Sequence, residues 1–194
     1  MNLLSLRTIR FFISVLLSAS LIGCASVKMP APTASASTLE KLRTANLAPS
    51  AVGRFGLAAG LNPKIDQSVG GLRGSSIHAA NGSFAQQLRE VVIVELKAAG
   101  LYDEKSPIKI EAQLTDSQVD AGIKTGTAKL AANFTVDKAG KRVFEKTLSV
   151  GSQWDSSFAG AIAIPEAINQ YTSLYKALVS KLFDDKDFRA ALAL

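Results

Sequence analysis

Ile108-Lys109-Ile110-Glu111-Ala112-Gln113-Leu114-Thr115 alternates apolar and polar side chains without a break. Successive side chains of a strand point to opposite faces, so this stretch predicts a strand with one face buried and one in water. The next segment repeats the pattern. Ala128, Leu130, Ala132, Phe134 and Val136 alternate with Thr127, Lys129, Ala131, Asn133 and Thr135. Asp137-Lys138-Ala139-Gly140 then reads as a short hairpin turn into a third strand. In that strand Phe144, Leu148, Val150 and Trp154 share the inward parity, but so does Lys146. Either a bulge shifts the register there or the lysine snorkels past the sheet edge.

Helical patterns flank this meander. Ser83 with Gln86 has capping-box spacing, and Phe84, Leu88, Val91, Val92, Leu96 and Ala99 follow on one stripe that Glu95 interrupts. Gly100 suits the position just past the helix end. On the far side, Pro165 reads as a first helical residue, before the stripe Ile168, Tyr171, Leu174, Tyr175, Leu178 and Leu182. That helix should stop near Asp184, with one further turn in the tail. A first strand is expected over Ala51 to Leu57, followed by an irregular stretch from Ala58 to Gly82.

The expected fold class is therefore α+β. It is a four-stranded, mainly antiparallel sheet with two helices packed on one face, in the order strand, helix, three strands, helix.

The N-terminal region has a different grammar. Arg7 and Arg10 precede an apolar run from Phe11 to Leu21 interrupted only by serines, and no acidic residue occurs before Glu40. This is the layout of a cleaved leader. Leu21-Ile22-Gly23-Cys24 closes it: the cut is expected between Gly23 and Cys24, with Cys24 as the lipidation site. Two readings compete: Cys24 as a chance small hydrophobe in a secreted leader, and an uncleaved membrane span, for which Phe11 to Val27 stands at the short limit. Residues 25 to about 38 are small, polar or proline and read as a tether. The segments are then 1–23 leader, 24–45 lipidated cysteine and flexible tether, and 46–194 a single domain.

Composition narrows the function. Without the leader, 22 Lys and Arg less Arg7 and Arg10 leave 20 against 16 Asp and Glu, a net charge of +4. The basic residues are scattered and no arginine cluster is interleaved with aromatics, which argues against nucleic acid as a partner. Cys24 is the one cysteine and His78 the one histidine, so neither a thiolate metal site nor a zinc cluster is expected, and no cofactor beyond the covalent lipid. Gly70-Gly71-Leu72-Arg73-Gly74 lacks the Lys-Ser/Thr pair of a phosphate loop and reads as a flexible loop. Ser75, Ser76 and His78 are neighbours without a nucleophile elbow. Asp184-Asp185-Lys186-Asp187 has too few ligands for a calcium loop. No catalytic residue is expected. Trp154 and Phe158 form either an aromatic anchor for a partner or the closure of the core.

The lipobox, the small-residue tether and the element order together resemble a loose group of Gram-negative outer-membrane lipoproteins. The group includes YajG-like lipoproteins, auxiliary lipoproteins of ABC-type transport systems and the lipoprotein partner of the lipopolysaccharide-assembly barrel. The domain residues carrying the resemblance are Ser83 to Arg89, Ala98 to Tyr102 and Gly140 to Lys146. It implies a diacylglycerol thioether on Cys24 and, because Ala25 follows rather than Asp, a periplasm-facing place on the outer membrane. A non-enzymatic accessory that binds an envelope protein is the leading expectation. A carrier holding an apolar ligand or lipid between helices and sheet is the alternative.

Overall fold

The computed structural model describes residues 26–194. Gly23, Cys24 and the leader lie outside the described residues. In chain order the elements are β1 (Ser26–Lys28), α1 (Ala36–Thr44), β2 (Ala51–Leu57), a 3₁₀ turn (Pro63–Asp66), β3 (Ser68–Leu72), β4 (Ser75–His78), α2 (Phe84–Ala99), β5 (Ile108–Asp120), β6 (Thr125–Lys138), β7 (Lys141–Asp155), α3 (Gly160–Asp184) and α4 (Lys186–Leu192).

The large sheet has the order β2-β5-β6-β7, with β2 parallel to β5 and the other pairs antiparallel. The alternation read from the sequence sets its inward face: Ile108, Ile110, Ala112 and Leu114 of β5 and Leu130, Ala132, Phe134 and Val136 of β6 are buried. A bulge between Leu114 and Asp116 then shifts the pairing, so that Ser117 and Val119 carry the buried face onward. The register of β7 is unbroken from Phe144 to Leu148, so Lys146 points to the helix side. It escapes past the edge strand to Asp185 (2.7 Å) and Asp187 (3.0 Å), at the corner between α3 and α4. Snorkelling, not a bulge, accommodates it.

Helices α2 and α3 cover the inward face. Ser83 Oγ accepts from Gln86 N at 3.1 Å, as its spacing predicted, and Gly100 ends α2 with φ 73°. Asp66 adds a second acceptor at the start of α2, taking Ala85 N at 2.8 Å. Helix α3 begins at Gly160, so Pro165 falls inside it and not at its first position. Between helices and sheet, Phe55 meets Phe134 edge-on at 6.5 Å and Phe84 meets Tyr171 at 5.7 Å. These aromatic side chains pack in the layer between helices and sheet.

The expectation of one four-stranded sheet and two helices is corrected. The described residues form two sheets, of three and four strands, and four α-helices. The second sheet has the order β1-β4-β3, with β1 parallel and β3 antiparallel to β4. Its strands run three to five residues. Too few side chains alternate in such strands to give a pattern, and Gly70-Gly71 interrupts what there is.

The stretch expected to be a tether is corrected from Ser26 onward, for it carries β1 and α1. Met29, Thr38 and Leu42 are buried. A run of small residues and prolines cannot build a core, so this one borrows partners from the helices. Gln87 Nε2 donates to Pro30 O (3.1 Å), Lys176 Nζ to Thr33 Oγ1 (2.9 Å), and Ser35 N donates to Glu95 Oε1 (2.9 Å).

Candidate functional site

Three loops meet at one end of the molecule, and Arg73 joins them. Arg73 and Gly74 form the two-residue turn between β3 and β4, both with positive φ (51° and 91°). The guanidinium reaches across to the β5–β6 hairpin, where Nε donates to Ala121 O (2.7 Å) and Nη2 to Gly122 O (2.8 Å). It also holds the β7–α3 loop: Nη1 donates to Phe158 O and Nη2 to Ser157 O, both at 2.7 Å, with Ser156 Oγ at 3.4 Å. Only arginine offers such a planar fork of donors. Gly71 makes the approach possible. Its carbonyl accepts from Ala121 N at 2.8 Å, and a Cβ there would overlap the carbonyl oxygen of Val119.

Ordering these loops leaves apolar side chains in water. Phe158 is 83% exposed, Ile162 in the first turn of α3 63%, and Ile123 at the hairpin tip 61%. Ser156 N donates to Lys124 O at 2.9 Å, so the two loops also touch directly. No charged residue occurs between Asp155 and Glu166.

Trp154 and Phe158, read together from the sequence, part company. The Trp154 ring lies half-buried over Gly126, its cross-strand partner, where any Cβ would collide with the indole. Phe158 stands outward.

The outward face of the large sheet is polar and uncovered by any helix among the described residues. It holds two hollows. One, of about 560 Å³, is lined by Gln118, Asp120, Thr127, Lys129, Ser149 and Gln153 among others. The other, of about 360 Å³, lies among Arg54, Glu111, Asn133, Arg142 and Glu145. Some of their charges are paired locally, Arg142 with Asp137 (2.6 Å) and Glu145 (3.0 Å), and Lys129 with Asp116 (2.8 Å). Such a surface suits a polar protein contact better than an apolar ligand.

The chemistry-bearing residues behave as structural groups. His78 lies in β4, not in a loop, and its Nε2 is 3.1 Å from Ser76 Oγ two residues away. Tyr171 bridges Ser117 Oγ (2.6 Å) and Tyr175 OH (3.0 Å) beneath the helices. Burial pushes the Tyr171 phenol up to about 12, so it stays protonated and holds the network. Glu95, the interruption in the α2 stripe, is buried under the start of α1, and burial raises its carboxyl pKa above the usual range. Among the described residues, no group of three or more His, Cys, Asp or Glu could hold a metal ion. No helix among them is long and apolar enough to cross a membrane.

Sequence reading missed Arg73. Its one signal was the Arg-Gly pair at the end of a glycine-rich run, which marks a turn but not the partners of the side chain.

No family model matches the chain, and no curated protein matches it significantly. Solved structures do. Protein XCC0632 from Xanthomonas campestris, assigned to DUF330, aligns over 82% of this chain and 95% of its own, with a TM-score of 0.55 and 17% identity. This chain shares its fold. A “putative lipoprotein” of Caulobacter crescentus CB15 aligns over 81% of this chain and 96% of its own (TM-score 0.42, 12% identity). A minor lipoprotein of Acinetobacter baumannii aligns over 54% and 81% (TM-score 0.37, 15% identity).

Proposed function

We propose that the chain is a lipid-anchored, non-enzymatic accessory component of a cell-envelope complex, held through Cys24 on the periplasm-facing side of the outer membrane. The observation that carries this reading is the sequence Leu21-Ile22-Gly23-Cys24 closing a leader two residues before the folded domain begins. Two or more acyl chains anchor a protein stably, where one holds only marginally. The polar outward face of the large sheet is the surface on which a protein partner docks.

Two experiments test it. Cys24→Ala is expected to leave a full-length, unlipidated precursor; normally processed protein still in the membrane fraction would overturn the anchor. Photocrosslinking residues placed at Arg54 and Lys129 in cells are expected to capture one defined envelope protein. Capture of nothing from either position would count against the docking face.

A further inference from the structure

Residue Ser26 pairs with Ser76 in parallel register, and Ser76 is three residues from Arg73. Strand β1 therefore runs into the domain from the Arg73 end. Cys24 precedes Ser26 by two residues, a reach of at most about 7 Å. The expected long tether is replaced by a short leash, and it leaves the domain at the end where Ile123, Phe158 and Ile162 are exposed.

We infer that this loop end lies in the headgroup–acyl boundary of the bilayer that holds Cys24, with Phe158 as its deepest side chain. The inference rests on the lipid-anchor reading. Acyl chains on Cys24 place its backbone at the headgroups, which are only some 5–8 Å deep on each side of the hydrocarbon. Ser26 and the adjoining turn then stand at the membrane surface. Three of the five large apolar side chains that the described residues expose, Ile123, Phe158 and Ile162, gather at this end. Exposed apolar side chains gathered at one place mark a contact surface. Amphipathic elements bury their apolar groups about 5–10 Å into this boundary, and aromatic rings favour that depth.

The charges fit the depth. Arg73 is exposed, but its donors are engaged by four backbone carbonyls. Lys124 is exposed beside Ile123, where it meets lipid phosphate. Asp120 and Asp155 are exposed at the base of the two loops, on the last residues of β5 and β7. A rigid tip presenting apolar groups inserts at low entropic cost, because Arg73 has already ordered it.

The test uses the full chain, lipidated and reconstituted into vesicles of phosphatidylethanolamine and phosphatidylglycerol, with and without acyl-brominated lipid. Phe158→Trp adds an emitter to the native Trp154. Bromines in the upper acyl chain are expected to quench most of the added emission, and a water-soluble quencher little of it. Ile123→Trp, in a separate loop, serves as a second reporter with the same expected result. Val143→Trp, in the strand that follows the opposite hairpin, is expected to escape the bromines. If the protein floats with the vesicles and both loop reporters remain open to the water-soluble quencher, the inference is overturned while the anchor stands. If intact mass shows Cys24 without lipid, the anchor reading fails and the inference falls with it. Quenching of both loop reporters, with Val143→Trp unaffected, supports it.

Discussion

The two ends of the molecule solve the same problem with opposite chemistry. At the Arg73 end, one guanidinium draws four backbone carbonyls of two loops together, and the side chains left outside are Ile123, Phe158 and Ile162. At the other end, the β6–β7 hairpin and the α3–α4 corner are held by an aromatic cluster inside and ion pairs outside. Phe188 packs edge-on against Phe144 (5.5 Å) and Phe183 (5.8 Å), while Lys146 bridges Asp185 and Asp187. An end that keeps its charges in water is made for solvent. At the Arg73 end the guanidinium is spent on backbone carbonyls, and Ile123, Phe158 and Ile162 are left in water.

The comparison breaks most sharply at Phe188, which is fully buried. Phe188→Ala should cost about 3–5 kcal/mol, read as a lower urea midpoint, with hydrogen exchange rising first across β7 and α4. Arg73→Ala should cost less, roughly 2–3 kcal/mol, since some of the released carbonyls are met by water. Its exchange signature should lie in residues 121–124 and 156–160. Arg73→Lys should recover little of this, because a single ammonium cannot reach both loops; full recovery would show that charge, not the fork, matters.

A smaller effect separates α1 from both ends. Burial, the largest influence on Glu95, raises its pKa, against Ser35 N–H and Lys176, which lower it. A carboxyl whose folded pKa is raised holds its proton more tightly in the folded chain. Stability is therefore lost as pH climbs from the unfolded value near 4.5 through the folded one. Glu95→Gln keeps an acceptor for Ser35 and should flatten that fall; equal pH slopes in the two proteins would contradict it. Lys146→Ala stands last. An exposed ion pair contributes little once salt screens it, so the thermal midpoint at moderate ionic strength should not move measurably.

The long elements were legible because each repeats its signal. Alternation over Ile108–Thr115 and Thr127–Val136 placed β5 and β6, and Ser83, Gln86 and Gly100 bracket α2 by cap chemistry. The lysine that breaks the β7 pattern left a bulge and snorkelling both open, and the unbroken register with its ion-pair partners Asp185 and Asp187 decides for snorkelling. The small sheet was not legible. Its three strands are short, and what makes them strands is pairing between residues far apart in the chain, which no local window contains. Helix α1 was hidden for a related reason. The segment leading into it looks like linker, and Gln87, Glu95 and Lys176 from two other helices hold that segment at Pro30, Ser35 and Thr33, while Thr38 and Leu42 of α1 are buried. In the loops, glycine marked the turns, but nothing local disclosed that Arg73 would span two of them. Of the two aromatics read together, Phe158 stands outward, while Trp154 lies half-buried over Gly126.

Given the proposed anchor at Cys24, the parallel pairing of β1 with β4 also sets how the domain meets a pull. Tension applied through the residues before Ser26 acts along the strand axis, so the β1–β4 bonds and the Met29 N to His78 O bond at 2.8 Å are strained together in shear. A drag force on the domain thus meets the whole seam at once, followed by the buried Met29 side chain, before α1 begins to unravel.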